Sequence, residues 1–182
     1  MKLDELTSSE LISALNDKSK AEELLTSYKE TWNRLMSEKN ALGERIKLSG
    51  IDLQGKDLTG LDFSAADIDD SDFSGSDLSD AVFSGATILE SRFAQSKFYR
   101  TEFDRTKISR TDMAYTSFKE SSIGNAYMTG SVNLFGAYVT GHHDAAGTEY
   151  KTHPSITVKG YSEALAYEEK MEKWEEDEQN SY

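Results

Sequence analysis

The sequence of 182 residues contains no cysteine, a single proline and no long apolar run. Without cysteine the chain can form neither disulfides nor thiolate metal sites, and this composition fits a reducing compartment. No apolar stretch approaches the ~18 residues that suggest a membrane span, and the amino terminus lacks the basic stretch and apolar core of a secretory signal. These absences predict a soluble, cytoplasmic protein that does not bind membranes.

Positive charge is also scarce, because 20 Lys and Arg stand against 33 Asp and Glu, giving a formal net charge of −13. Proteins that contact the phosphates of nucleic acids need clustered Lys and Arg, so no direct nucleic-acid binding is expected. The sequence further lacks a phosphate-binding glycine loop, a nucleophile elbow and a carboxylate pair separable from a repeating aspartate column. It therefore predicts a protein that is not an enzyme and needs no cofactor.

What the sequence does contain is a five-residue repeat between Ile46 and Val139. Large apolar residues occupy every fifth position from Leu48 to Met128, seventeen in succession. From Ala66 to Ala126, the position two residues before each apolar centre always holds Ala, Ser or Thr. A period of five fits neither the period of about 3.6 of a helix nor that of about 2 of a strand. It predicts a chain that takes a short extended step, turns a corner and repeats.

Units such as KDLTG, SDFSG, SDLSD and ADIDD resemble those of the pentapeptide-repeat family. The resemblance implies a mainly β solenoid, a right-handed four-sided β-helix with one pentapeptide on each side and four in each coil. Residues twenty apart should then stack, and like side chains do recur at that distance. One ladder without aromatic residues comprises Leu48, Ile68, Ile88, Ile108 and Met128, and a second comprises Phe63, Phe83, Phe103 and Ile123.

The repeat predicts four segments. Residues 1–45 form a helical cap or coiled coil, 46–140 the β-helix, 141–161 a loop, and 162–182 an amphipathic helix with an acidic tail. The spacing slips after Met128, where Asn133 falls on a core slot and Leu134 and Val139 resume the count one residue late. We expect a bulge or the terminal coil there.

The first 45 residues are helical by pattern. Thr7 and Glu10 form a capping box with Leu6 and Leu11 as its hydrophobic staple, so a short helix should start there and end near Asp17. A second box at Ser19 and Glu22 predicts one long helix whose apolar stripe consists of Leu25, Tyr28, Trp32, Leu35, Leu42 and Ile46. We favour an αα-hairpin that covers the open end of the β-helix and protects its unpaired edge. The alternative is a coiled coil that forms a homodimer, and the carboxyl-terminal helix offers a second route to dimerisation.

Charge is unevenly divided along the solenoid. Residues 46–90 carry ten acids and two bases, whereas residues 91–140 carry four acids and seven bases. These charges are either solvated faces or an electrostatically polarised binding surface. Off-column apolar residues favour the second interpretation, since Tyr and Arg are enriched in interface cores. The candidate partner-binding residues are Asp57, Asp72, Asp77, Leu89, Tyr99, Arg100, Arg105, Arg110, Tyr115 and Tyr127, with a local patch expected around Tyr99, Arg100 and Tyr127.

The segment after Val139 holds all three histidines. His142, His143, Asp144 and His153 are residue types that ligate Zn²⁺ or another transition metal. No helical or strand spacing fixes their geometry, so we predict no metal site.

Two functions remain open. The first is a protein-protein interaction scaffold or adaptor. The second follows from the resemblance, which implies an acidic DNA mimic that binds and inhibits or protects a DNA-binding enzyme such as DNA gyrase, a type II topoisomerase. The acidic first half favours mimicry, whereas the basic second half, the short array and the charged carboxyl-terminal helix favour the scaffold.

Overall fold

The computed structural model describes residues 2–122, 126–129 and 132–133. This part of the chain contains a 3-10 turn at Leu3–Glu5, three α-helices and a β-helix. The predicted loop at 141–161 and the predicted helix at 162–182 lie outside the described residues.

Helix α1 (Ser8–Ala14) begins at the capping box that the sequence predicts. The Thr7 hydroxyl accepts a hydrogen bond from the Glu10 backbone N–H, and the Glu10 carboxylate accepts one from the Thr7 N–H. Leu11 is fully buried and Leu6 packs against the core, as a hydrophobic staple requires. The helix ends three residues before Asp17, which instead caps the next helix by accepting from the N–H groups of Ser19 and Lys20.

The prediction of one long helix from the Ser19 box is wrong. The structure has α2 (Lys18–Ser27) and α3 (Lys29–Ala41), separated at Tyr28 with φ −129° and ψ 48°. A straight helix would present a single stripe, whereas the break lets both helices turn apolar residues into the same core. Leu42 and Ile46 therefore lie beyond the helix end, and Leu42 is exposed.

The β-helix pairs its coils at the predicted spacing of twenty residues. Its strands are β1 (Lys47–Ser49), β2 (Asp67–Asp69), β3 (Thr87–Leu89), β4 (Lys107–Ser109) and β5 (Tyr127–Thr129), all parallel and in chain order. These strands form side 1. The other three sides pair through single bridges such as Asp52 to Asp72 (side 2), Asp57 to Asp77 (side 3) and Asp62 to Val82 (side 4). The four-sided solenoid is thereby confirmed.

Stacked aromatic rings fill the interior. The Phe83 ring lies 4.9 Å from that of Phe63 and 5.1 Å from that of Phe103, and both pairs are nearly parallel. The prediction that these three residues share one side of the core is confirmed. Phe73 and Phe93 form a second stack at 4.6 Å.

Buried hydroxyls occupy the small-residue column and find acceptors there. The Ser76 and Ser96 hydroxyls donate to the Phe73 carbonyl at 2.6 and 2.8 Å, and the Thr101 hydroxyl donates to the Leu78 carbonyl at 2.8 Å. A buried hydroxyl without a partner would be destabilising. The Ala, Ser and Thr of this column are thus small enough for the corner of the core, and the polar ones are satisfied within it.

The helices α2 and α3 cap the first coil by forming hydrogen bonds to the backbone edge that it would otherwise expose. The Trp32 indole N–H donates to the Asp62 carbonyl at 2.7 Å, and the Glu22 carboxylate accepts from the Asp52 N–H at 3.0 Å. The Asn33 amide donates to the Gly60 carbonyl and accepts from the Asp62 N–H, both at 2.9 Å. The bonds to Asp52 and to Asp62 satisfy backbone groups that a further coil would otherwise pair. Trp32 and Leu35 are fully buried within the chain, so the αα-hairpin uses the stripe that a coiled coil would need.

The predicted slip after Met128 appears in the pairing register. Asp112 bridges Asn133, which is 21 residues later, whereas Ile108 pairs with Met128, which is 20 residues later. One extra residue therefore lies between Met128 and Asn133. It moves Asn133 out of the core slot to an exposed position, where its side-chain amide donates to the Asp112 carboxylate at 2.9 Å. Leu134 and Val139 lie outside the described residues.

Each side ends in a corner residue with positive φ. In the described coils glycine occupies five of these corners, with φ between 63° at Gly50 and 70° at Gly85. Other corners hold residues with side chains, among them Ala65, Gln95 and Tyr115. The left-handed conformation costs an L-residue roughly 1–2 kcal/mol relative to the right-handed one.

Two substitutions at equivalent corners of neighbouring coils test this cost. Gly75→Ala should lower the free energy of unfolding by about 1 kcal/mol, because φ is 68° and no heavy atom lies within 4 Å of an added Cβ. Gln95→Gly, one coil later, should raise it by about 0.5–1 kcal/mol for the converse reason. Urea denaturation measures both changes, and shifts of the same sign would contradict the assignment of strain to the corner.

Candidate interaction surface

The candidate binding residues are distributed over all four sides of the solenoid. Side 3 holds Asp57, Asp77 and Tyr99, side 2 holds Asp72, and side 1 holds Leu89 and Tyr127. The corners that follow sides 3, 4, 1 and 2 hold, respectively, Arg100, Arg105, Arg110 and Tyr115. Tyr115 is the most exposed of the large apolar residues described in the solenoid, at 53%.

The structure does not bring Tyr99, Arg100 and Tyr127 together into one patch. Tyr127 belongs to β5 on side 1, whereas Tyr99 and Arg100 lie on side 3 and the corner that follows it. The filled core separates these opposite sides. Residues five apart occupy successive sides, so only residues about twenty apart share a surface.

The acidic and basic halves neutralise each other across neighbouring coils. Arg92 pairs with Asp72 at 2.8 Å, Lys97 with Asp77 at 3.7 Å, and Arg100 with Asp80 at 2.7 Å. We call these contacts rungs. A further rung joins Arg110 to Glu90 at 2.6 Å.

The rungs arise because the change from acidic to basic sequence falls between two stacked coils. The acid of each rung then lies next to a base that is twenty residues later in the chain. Asp57, in the first coil, is paired instead by Lys29 of the cap at 2.8 Å. Five of the ten candidates thus form ion pairs within the chain: Asp57, Asp72, Asp77, Arg100 and Arg110. An acid at position i with a base at i+20 was the available sequence signal.

The contacts with Lys29 and with the rung arginines lower the pKa values of the aspartates that they hold. Hydrogen bonds from Lys29 and Thr59 hold the pKa of Asp57 well below its ordinary value. Partial burial raises the pKa of Asp72, but hydrogen bonds from Ser74 and Arg92 lower it by more. The Arg100 guanidinium likewise lowers the pKa of Asp80, and Asp80 raises the pKa of Arg100.

These shifts predict that the solenoid loses stability in acid. A carboxyl whose folded pKa is lowered stabilises the native state above its unfolded pKa of about 4 and loses that contribution as pH falls through the folded value. Asp57→Asn should therefore flatten the fall in unfolding free energy below about pH 4, as measured by urea denaturation at successive pH values. Lys29→Met should move the pKa of Asp57 back toward its ordinary value in a carbon-13 NMR titration. If the unfolding free energy of Asp57→Asn fell as steeply below about pH 4 as that of the wild type, the lowered pKa of Asp57 would not contribute to stability.

The described residues offer no cluster of His, Asp and Glu that could hold a metal ion. His142, His143, Asp144 and His153 lie outside this part of the chain. No helix within the described ranges is long and apolar enough to cross a membrane.

Comparison with solved structures returns pentapeptide-repeat proteins at low identity. A protein from the thylakoid lumen of Arabidopsis thaliana is 19% identical over 59% of this chain and 70% of its own, with a TM-score of 0.34. A trypsin-treated variant of QnrB1, a plasmid-mediated fluoroquinolone resistance protein, is 20% identical over 55% of this chain and 64% of its own, with a TM-score of 0.30. HetL, from the cyanobacterium Nostoc and involved in heterocyst differentiation regulation, is 15% identical over 59% of this chain and 66% of its own, with a TM-score of 0.27.

A sequence comparison with curated proteins found no match. The family model for pentapeptide repeats matches residues 44–80 and 76–114, with eight copies. These residues form the coils in which parallel pairing recurs every twenty residues and the aromatic rings stack. Residues 44–114 of this chain are therefore pentapeptide repeats, and the solenoid that they form is a pentapeptide-repeat β-helix.

Proposed function

We propose that the protein is a non-catalytic interaction scaffold whose solenoid presents outward side chains to a protein partner. The observation that carries this proposal is the filled interior. Phe63, Phe83 and Phe103 are fully buried and stacked along the axis, with buried hydroxyls and alanines beside them. Recognition is thereby directed to the outer sides, since small ligands need a concave site.

The rungs support the same function by ordering the surface before a partner binds. Arg100 is held by two hydrogen bonds to Asp80 at 2.7 and 2.8 Å, and its guanidinium lies 4.5 Å from the Tyr99 ring centre. Side chains that are already ordered lose less conformational entropy on association. Neighbouring coils repeat these positions at about 4.8 Å, which gives the scaffold a fixed spacing.

Affinity capture from the native source tests the scaffold, with one variant for each of two opposite sides. Ser109→Arg alters side 1 and Ser117→Arg alters side 3 by the same chemistry, and both residues are half-buried outward positions. A scaffold should retain one protein partner in the wild type and lose it in only one of these variants. Equal retention of every protein by both variants and by an unrelated acidic protein would contradict the proposal.

DNA mimicry is a second candidate because every charged residue of the second coil is an acid. Residues 66–85 carry six aspartates and no base. Four of them are paired with Arg45, Arg92, Lys97 or Arg100, which leaves Asp69 and Asp70 exposed at the end of side 1. The rungs reduce the free negative charge that a DNA-binding enzyme would meet, and for this reason the scaffold is favoured.

Competition with duplex DNA for an enzyme such as DNA gyrase separates the two functions. Reversing Asp57, Asp72 and Asp77 would also break three ion pairs, so a loss of binding would be ambiguous. Asp69→Lys with Asp70→Lys removes acids that have no ion pair within the described residues. Mimicry predicts that DNA and the protein exclude each other and that this exclusion disappears in the double variant. Simultaneous binding of DNA and protein would exclude mimicry.

A further inference from the structure

Two basic residues that form no rung lie together at one edge of the solenoid. Of the seven bases in residues 91–140, four form rungs. Arg105 and Lys107 are exposed and, in the described part of the chain, have no acid within ion-pairing distance. They lie two residues apart where side 4 turns into side 1.

Two bases that precede and open the first coil reach the same edge. Lys47 starts the side 1 ladder, which continues through Asp67 and Thr87 to Lys107. The Arg45 side chain extends up this ladder. It donates to the Asp67 carboxylate at 2.8 Å, the Thr87 hydroxyl at 3.0 Å and the Gly85 carbonyl at 3.2 Å.

Gly85 is the corner residue one coil before Arg105. The Arg45 guanidinium, which donates to the Gly85 carbonyl, therefore lies one coil away from the Arg105 corner. We call Arg45, Lys47, Arg105 and Lys107 the basic strip. Two acids lie beside these bases: Asp67 is already bonded to Arg45, and Asp104 accepts a hydrogen bond from the Ser122 hydroxyl at 2.8 Å. The strip keeps a positive charge in a chain whose net charge is −13.

We propose that the basic strip binds an extended acidic segment of a partner polypeptide. The strip is narrow, because Asp69, Asp70 and Glu90 flank it across side 1. A nucleic-acid duplex is wider than a single extended chain and would bring its phosphates against these acids, whereas one extended chain fits between them. Carboxylates also match the planar fork of arginine, which binds them with paired hydrogen bonds.

The length of the strip fits such a segment. From Lys47 to Lys107 it crosses three coil spacings, or about 14 Å at ~4.8 Å each. That distance is covered by about four residues of an extended chain, enough to place two carboxylates on one face. Arg45 is already bonded to Asp67, Thr87 and the Gly85 carbonyl, so the donors for the segment come from Lys47, Arg105 and Lys107.

Binding of a synthetic peptide tests the proposal directly. The probe is a fluorescent peptide of about ten residues with alternating Glu and Ser, measured by anisotropy at about 50 mM salt, where exposed charges are weakly screened. Arg105→Glu with Lys107→Glu should weaken binding by at least about tenfold, since two favourable contacts become repulsive. The matched control, Lys56→Glu with Lys119→Glu, makes the same charge change at exposed positions away from the strip and should alter binding less than about twofold.

Three results would overturn the proposal: equal loss in both double variants, equal binding of a peptide with Gln in place of Glu, or tighter binding of duplex DNA of matched charge. The proposal rests on the scaffold function but fails separately from it. If one of these results is obtained while a native partner is captured through side 3, the basic strip is overturned and the scaffold stays intact. Selective peptide binding in a protein that captures no native partner would count against the scaffold alone.

Discussion

Phe83→Ala is expected to lower the free energy of unfolding by about 3–5 kcal/mol. The Phe83 side chain is fully buried between the rings of Phe63 and Phe103, and its edge contact with Phe93 has a ring-centre distance of 6.1 Å. Removing the ring would interrupt the stack and leave a cavity. Both neighbouring coils are fixed by backbone hydrogen bonds, such as those from the Phe63 and Phe83 N–H groups, so they cannot easily collapse into it.

Ser84→Ala provides the control for this truncation. Ser84 is the next residue along the chain but faces outward, and its loss should change the stability by no more than about 0.5 kcal/mol. Chemical denaturation of both variants under the same conditions gives the comparison. Equal losses of unfolding free energy in Phe83→Ala and Ser84→Ala would contradict the inward placement of the apolar centres.

The sequence predicted the solenoid because its local and long-range patterns agree. The five-residue spacing assigns each centre to a side, and the sorting of aliphatic from aromatic centres identifies twenty residues as one coil. Pairing of Ile68 with Ile88, and stacking of Phe63 on Phe83, confirm both inferences. Every inward position repeats the five-residue spacing, so one irregular unit does not obscure the pattern.

The surface was harder to predict because its neighbours are distant in sequence. Counting charges along the chain separated an acidic half from a basic half, but the surface is formed across coils. Asp80 and Arg100 belong to different halves and yet are bonded. Tyr99 and Tyr127 belong to the same half and yet lie on opposite sides.

The break at Tyr28 was missed for a related reason. The apolar spacing of Leu25, Tyr28, Trp32 and Leu35 continues through this residue, so the local pattern gives no signal to end the helix. Docking on the first coil decides the geometry instead. Asn33 shows this, since both groups of its side-chain amide bond the coil edge, at Gly60 and Asp62.

Trp32→Ala should be the most destabilising change in the cap. The indole is fully buried, its ring lies 5.8 Å from that of Phe63, and its N–H donates to the Asp62 carbonyl at 2.7 Å. Truncation would remove the apolar contact, at a cost of about 3–5 kcal/mol. It would also uncover the backbone edge of the first coil.

Trp32→Phe separates the two contributions, because it keeps an aromatic ring and removes only the donor. It should cost about 1–3 kcal/mol, the penalty for a buried carbonyl that loses its hydrogen bond. Arg34→Ala, at an exposed position of the same helix, should cost no more than about 0.5 kcal/mol. Thermal or urea unfolding of the three variants should rank them in that order.

Sedimentation of the Trp32→Ala variant distinguishes a cap from a coiled coil. An uncovered coil edge offers unpaired N–H and C=O groups to a second chain, so a damaged cap should increase self-association with protein concentration. A coiled coil that used the same stripe would show the opposite result, since loss of a large seam residue would convert a dimer into a monomer. Because Trp32 and Leu35 are already buried against their own chain, we expect a monomeric wild type and greater association in the variant. A wild-type dimer that dissociates in Trp32→Ala would contradict this assignment.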